Sequence, residues 1–264
     1  YKDLELARKK AKNIKWRAIS DLDKNLTLFE KNFTANGGKV IWAENTEEAQ
    51  NAILEIFKKN NAKTTVKSKS MATEEIHLND FLEQNDIEVF ETDLGEYIVQ
   101  LAGERPYHIV TPAMHKSKQD VAELFHEKLD TDLSLSAEEL TLVARAKLRE
   151  KYTSADIGIS GANFIIPEIG GIAITENEGN ARLTTAFPKV HIALVGIEKI
   201  APTLNDMAFY WPLLSTYGTG QKVTVFNSIF TGPKKEKEAN GPEEMYVILL
   251  DNGRSEMLAE VQQR

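Results

Sequence analysis

The sequence predicts an α/β fold, a largely parallel sheet with flanking helices, and three observations predict it. Short β-branched runs alternate with helical patterns along most of the chain. Continuous apolar runs, such as HIALVGI over 191–197, suit strands covered on both faces. With 264 residues, 42% of them hydrophobic, the chain can bury a substantial core although it contains no cysteine to cross-link it.

From Ile14 the apolar residues Ala18, Leu22, Leu26, Phe29 and Phe33 follow at steps of three or four, one face of a single long helix that Gly37 and Gly38 end. The same segment carries Arg8, Lys9, Lys10, Lys12, Lys15 and Arg17, a basic cluster that reads as a solvated helix face or as a surface for an acidic partner or a membrane. A strand follows over 39–43, then a helix over 46–59 with Ala49, Ile53, Ile56 and Phe57 on one face. After a strand over 64–67, a helix opens near Thr73, which can cap it, while Glu74 and Glu75 favour the positive end of the helix dipole. Strands are expected over 87–90 and 108–110. Ser136 and Glu139 form a capping box for a helix from Ala137, with Leu140, Val143, Ala144 and Leu148 as its buried stripe. The second half predicts strands over 157–159, 171–175, 190–195, 223–226 and 245–250. The segment 231–242, containing KKEKE, reads as an exposed loop.

Composition and missing motifs narrow the chemistry. Without cysteine the chain forms no disulfide, uses no thiolate nucleophile and offers no usual ligand to an iron–sulfur cluster. Forty acidic against 32 basic residues, a net charge of -8, give no long-range attraction to nucleic acid or anionic membrane. No apolar stretch approaches the ~20 residues of a membrane-spanning helix, and no signal-peptide pattern opens the chain. A soluble, cytoplasmic protein is the expectation. Tyr1 in place of Met implies a trimmed N-terminus. No phosphate loop occurs, and GTGQKV at Gly218 lacks the third glycine and preceding strand of a dinucleotide fingerprint. His126-Glu127 is not followed by the second histidine of a zinc protease, and His77, His108, His115, His126 and His191 are scattered, so no metal site is expected.

The segment 154–182, SADIGISGANFIIPEIGGIAITENEGNAR, packs glycine, small polar residues and carboxylates at the ends of two expected strands. Ligands of open α/β sheets bind beyond the carboxyl ends of strands, where 160–163 and 176–182 would lie. Gly158 and Gly161 allow close backbone approach, and Ser160 and Asn163 can donate to an anion. Glu176 and Glu178 are acid or base candidates, and Arg182 can grip a carboxylate or phosphate. Asn177 and Asn180 serve as turn residues, Asn180 also as a polar ligand. A second cluster, KSKSMATEE over 67–75, sets Lys67, Ser68, Lys69 and Ser70 before a helix N-terminus, an anion site or a solvated turn. His191 and Lys189 read as scaffold or catalyst.

The strings KSKSMATEEI from Lys67, ETDLGEYIVQL from Glu91, the long segment from Ser154, STYGTGQ from Ser215 and GPEEMYVILLDNGRSEMLAE from Gly241 resemble the lactate-utilisation (LUD) domain family, most closely its B-type branch. The resemblance covers nearly the whole chain. It implies a fold similar to the sugar-phosphate isomerase and CoA-transferase superfamily, an N-terminal helical extension over 1–36, the LUD domain over 37–254, and in 255–264 the start of a linker. Beyond Arg264 it implies a ferredoxin-like segment whose cysteines bind [4Fe-4S] clusters. It implies a part in oxidising L-lactate to pyruvate, a small carboxylate substrate and other lactate-utilisation proteins as partners, with the oligomeric state open. On that chemistry Arg182 serves as cation and Glu176, Glu178 or His191 as base, in a binding and positioning domain that is silent alone. Two alternatives stand beside it. One is an isomerase- or transferase-like enzyme using Glu168, Glu176 or Glu178 on a sugar phosphate or acyl thioester. The other is an assembly scaffold contacted through Lys9, Lys10 and Lys12.

Overall fold

The structure is a computed structural model that describes residues 3–107 and 111–262; the strand expected over 108–110, Tyr1 and Arg264 lie outside the described residues. Helices α1 (Leu4–Ser20) and α2 (Leu22–Ala35) lead into β1 (Lys39–Ala43), α3 (Thr46–Lys59), β2 (Thr64–Lys67), α4 (Met71–Glu75), α5 (Leu78–Glu83), β3 (Glu88–Glu91) and α6 (Leu94–Leu101). Helices α7 (Lys118–Leu129) and α8 (Ala137–Ser154) precede β4 (Ile157–Gly161), β5 (Phe164–Ile166) and β6 (Gly171–Glu176). The chain continues through α9 (Asn180–Ala186), β7 (Val190–Gly196), α10 (Leu204–Thr219), β8 (Phe226–Phe230), β9 (Glu244–Leu250) and α11 (Arg254–Gln262).

Six strands form one parallel sheet in the order β1-β9-β7-β4-β2-β3, flanked by helices as the alternating pattern predicts. Strands β5, β6 and β8 form a second, antiparallel sheet. The segment expected over 171–175 therefore leaves the parallel sheet. The reason is the connection: only the single turn Pro167–Ile169 and Gly170, left-handed at φ 58, join β5 to β6, whereas parallel neighbours need a crossover of about a dozen residues or more. The strand expected over 223–226 begins only at Phe226, where pairing with Glu176 becomes available; Val223 and Val225 are exposed.

The parallel sheet divides the core by its alternating side chains. On one face Ile157, Ile159, Ile192, Leu194, Ile248 and Leu250 pack against α3, α4 and α5. On the other, Ala193, Val195, Val247 and Leu249 meet Ile165, Ile172 and Ile174 of the small sheet and Leu26, Phe29 and Phe33 of α2. The Phe29 and Phe33 rings stack with centroids 5.3 Å apart. Helices α6, α7 and α8 close a further cluster over Val66 through Tyr97, Phe125, Leu140 and Leu148.

The expected long N-terminal helix is two helices that meet at Asp21 (φ -110, ψ 35). The apolar repeat runs through the break, so periodicity is blind to it. Asn25 Nδ2 donates to the Ala18 carbonyl at 3.0 Å, which satisfies an oxygen that the interruption frees. The basic cluster is partly absorbed by the fold. Lys15 donates to the Glu198 carbonyl, the Lys10 ammonium lies 4.4 Å from the Phe209 ring centroid, and the Arg8 guanidinium lies over Tyr217. Among the described residues no helix is long and apolar enough to cross a membrane.

Candidate functional site

The connection after β2 leads outward to the edge strand β3, while that after β4 leads back toward β7, so the order of the sheet reverses between β2 and β4. A crevice beyond the carboxyl ends of two such strands is the usual ligand position. Both sequence clusters fall there, 67–70 after β2 and 160–163 at the end of β4. The two segments touch. A Cβ added at Gly161 would stand 2.6 Å from Ser70 Oγ, so glycine there permits the close approach.

Much of this region is interior. Lys67 is 0% exposed and in register with Glu91 on the neighbouring strand. Its Nζ lies 2.8 Å from Glu91 Oε1 and 3.0 Å from Glu74 Oε1, and donates to Thr73 Oγ1. Burial alone would depress its pKa, but Glu91, Glu96 and Glu74 outweigh that and hold it above the usual lysine value. The Lys67 charge is neutralised inside the protein rather than offered to an incoming anion. Ser68 is buried, its amide donating to the Ile159 carbonyl. Ser70, not Thr73, is the N-cap of α4, accepting from the Thr73 amide, and this corrects the expected helix start.

Ser160 and His191 also lie inside the sheet. Both are 0% exposed, and Ser160 Oγ is 2.8 Å from His191 Nε2. Burial depresses the His191 pKa to about 3, so the ring is neutral. Asn163 Oδ1 accepts from the Thr175 amide at 2.7 Å, pinning the end of β4 to β6. Glu168 accepts from the Leu204 amide at 2.7 Å and so caps α10.

The loop 176–182 lies at the end of β6 in the small sheet, not at the end of a parallel strand, but α9 carries it back over β4. At Gly158 a Cβ would overlap the Thr184 carbonyl oxygen, so α9 can lie on the strand because residue 158 has no side chain. Glu176 accepts from the amides of Ala181 and Arg182 at 2.7 and 2.9 Å, which caps α9. Its pKa is raised because desolvation outweighs these bonds. The Glu178 carboxyl is also held above its ordinary pKa, first by desolvation and then by Asp93, with Lys69 opposing. Lys69 Nζ lies 2.8 Å from Asp93 Oδ2. Asn180 Nδ2 is 3.5 Å from Glu178 Oε2. Arg182 is exposed, its guanidinium above Phe226 and 3.5 Å from Ser228 Oγ.

The fold thus brings Lys69, Glu178, Asn180, Glu176 and Arg182 to one surface beside Asp93, with Ser160 and His191 beneath it. Sequence reasoning misses Asp93, Glu91 and Glu96, and sees Glu74 only as a helix-dipole partner. Asp93 Oδ1 accepts from the amides of Gly95 and Glu96 and caps α6. Asp93 and Glu96, three apart before the apolar Tyr97 and Ile98, were the available capping signal. Glu96 is 3% exposed, and its pKa is pushed up to about 9, first by burial and then by Glu91. Among the described residues no group of three His, Asp or Glu side chains is arranged to hold a metal ion.

Comparison with known proteins places this chain in a family. The chain is 42% identical over 252 residues to the uncharacterized electron transport protein YkgF of Escherichia coli, covering 96% of this chain and 53% of that protein. It is 43% identical over 249 residues to lactate utilization protein B of Bacillus subtilis, covering 94% of this chain and 52% of that protein. The chain spans about half the length of these curated relatives. Among solved structures, a DUF162 family protein from Deinococcus radiodurans aligns with a TM-score of 0.45 and 15% identity, covering 87% of this chain and 98% of that one. The LUD domain matches residues 26–250, and the chain belongs to the LUD domain family.

Proposed function

We propose that this chain is the LUD domain of an iron–sulfur oxidoreductase subunit that takes part in oxidising L-lactate to pyruvate, and that it binds and positions the substrate. The observation that carries the reading is the exposed Arg182 guanidinium on the same loop as Glu178, at the carboxyl-end surface of a chain 43% identical to a lactate utilization protein B. Arg182 pairs with the lactate carboxylate, a planar fork on a planar anion. Glu178, whose desolvation raises its proton affinity, accepts the hydroxyl proton. The enclosed and neutral His191 is less suited to that step and serves as scaffold beneath the loop.

Removing two electrons and the carbon-bound hydrogen from lactate requires an acceptor. Cluster ligation by thiolates has no donors in this cysteine-free sequence. These residues therefore do not fit a [4Fe-4S] group, and electron transfer is assigned to the full-length protein and its lactate-utilisation partners.

The test is growth on L-lactate of cells that depend on this protein, carrying Arg182→Ala or Glu178→Gln in the full-length chain. Loss of growth with normal protein levels and melting temperature is expected. Wild-type growth with both variants refutes the assignment. Dye reduction by the purified 264-residue chain with L-lactate, and no partner, refutes the positioning role.

A further inference from the structure

A cavity of about 440 Å³ that neither Arg182 nor Glu178 lines opens beside the buried Lys67 network, walled in part by Glu74, Asn79, Asp80, Glu96, Glu104 and Arg105. It falls within the volume range of small-molecule sites. Two of its rim carboxylates already have cations. Glu104 lies 2.7 Å from His115 Nε2 and 2.6 Å from Lys116 Nζ, and Asp80 faces Arg105 at 3.6 Å. The wall beneath them is unbalanced. Three carboxylates, Glu74, Glu91 and Glu96, gather around one ammonium, Lys67.

The orphaned atoms there are all acceptors. Glu96 Oε2, Glu91 Oε2 and Asn79 Oδ1 are buried without a hydrogen-bond partner among the described residues. Asn79 has turned its only donor group inward, Nδ2 giving its hydrogen to Glu91 Oε1 at 2.6 Å. A proton shared by Glu91 and Glu96 relieves that pair but leaves Asn79 Oδ1 unmet. An acceptor without a donor, in a wall that sets three carboxyl groups against one ammonium, matches a group that is cationic and carries several N–H bonds. An ammonium has three. An anion or a carbonyl compound would add acceptors where none can be satisfied.

We propose that this cavity binds the primary ammonium group of a small organic amine, received by Glu96 and Asn79. The site is separate from the lactate-positioning surface and does not depend on it. The incoming cation takes the place of the proton on Glu96, so binding releases a proton. The charged groups that face Glu96 are Glu91 on β3, Lys67 on β2 and Asp93 at the start of α6, and Glu74 on α4 faces Lys67. Only Lys67 among them is cationic, and it is already paired with Glu74 and Glu91.

Calorimetric titration of the whole chain at pH 7.5, in about 0.15 M salt to screen exposed charges, compares 1,4-diaminobutane with 1,4-butanediol, succinate and magnesium chloride. Saturable binding of the diamine alone is expected, with a heat that varies with buffer ionisation enthalpy because a proton is released. Glu96→Gln, which keeps the side-chain shape, lowers the affinity about tenfold or more through loss of a charge-assisted hydrogen bond, and abolishes the proton release. Asn79→Leu weakens binding as well. The proposal is overturned if the diol or succinate binds as tightly as the diamine, if magnesium takes its place, if Glu96→Gln binds unchanged, or if the diamine does not bind at about 10 mM, far above the range of a specific ammonium site.

Discussion

Replacing Glu96 by glutamine should make the protein more stable at neutral and alkaline pH, although it removes a carboxyl from the interior. Glu96 is buried and its pKa is pushed up from 4.5 to about 9, by desolvation first and by Glu91 next, with Lys67 opposing. In the unfolded chain the same carboxyl ionises at its ordinary value. Between these two pH values the folded state keeps a proton that the unfolded chain has released, so stability falls as pH rises through the window. At pH 7.5 the gap is about three units, which at about 1.36 kcal/mol each sets an upper bound near 4 kcal/mol. Relaxation of the Glu91–Glu96 pair reduces this, and a gain of about 2–4 kcal/mol is expected for Glu96→Gln. Glutamine still donates an N–H to Glu91, so no new orphan forms there. Urea unfolding of both proteins from pH 4 to pH 9 measures the difference. The curves should coincide near pH 4 and diverge steadily above pH 5. A gap independent of pH, or a wild type that gains on the variant as pH rises, refutes the reasoning.

Other perturbations probe the same framework. Lys67→Met leaves the buried Glu91 and the half-buried Glu74 without their cation and should cost about 3–5 kcal/mol in urea unfolding at pH 7; a cost under about 1 kcal/mol would mean that the network relaxes freely. Glu176→Ala removes the acceptor of two amides at the start of α9 and should lower stability by about 1–2 kcal/mol, read as a shift in melting temperature. Gly158→Ala forces a methyl into the Thr184 carbonyl and should cost about 1–3 kcal/mol. Its near-ultraviolet circular dichroism should change as α9 lifts from β4, and an unaltered spectrum and melting point would count against that packing.

Where local sequence carried the physics, it could be read. Helix α3 and β2 match expectation at both ends, and the capping box of Ser136 and Glu139 is present at the start of α8. Features that depend on distant partners could not. The break at Asp21 sits inside an unbroken apolar repeat, and what allows it is the Asn25 bond to Ala18 together with packing on the small sheet. Helix α10 contains Pro212, which reads as a stop in isolation. The shift of β8 to Phe226–Phe230 follows from where β6 ends, a fact about another strand.

The candidate site divides along the same line. Lys67, Lys69 and Ser160 are recognisable as polar residues near strand ends, but whether a charge faces solvent or the core depends on which strands are neighbours. Lys67 and Glu91 are 24 positions apart and meet only because β2 and β3 pair in parallel with those two residues in register. Once they meet, α4 must supply Glu74 and Thr73 to complete the shell around the ammonium, and α6 brings in Glu96, a third carboxyl group that holds its proton because it is buried beside Glu91. That crowding of carboxyl groups around one ammonium is a property of the assembled fold and of no single segment. It also explains why a string such as KSKSMATEE is ambiguous when read alone. Lys67 points its charge into the protein while Lys69, two residues on, reaches the surface beside Asp93 and Glu178. The spacing of two that makes a β-strand amphipathic does not operate past the end of β2 at Lys67. The sorting of these two cations is therefore done by the carboxylates of β3 and α6: Glu91 draws the first inward, and Asp93, held by its cap on α6, keeps the second at the edge.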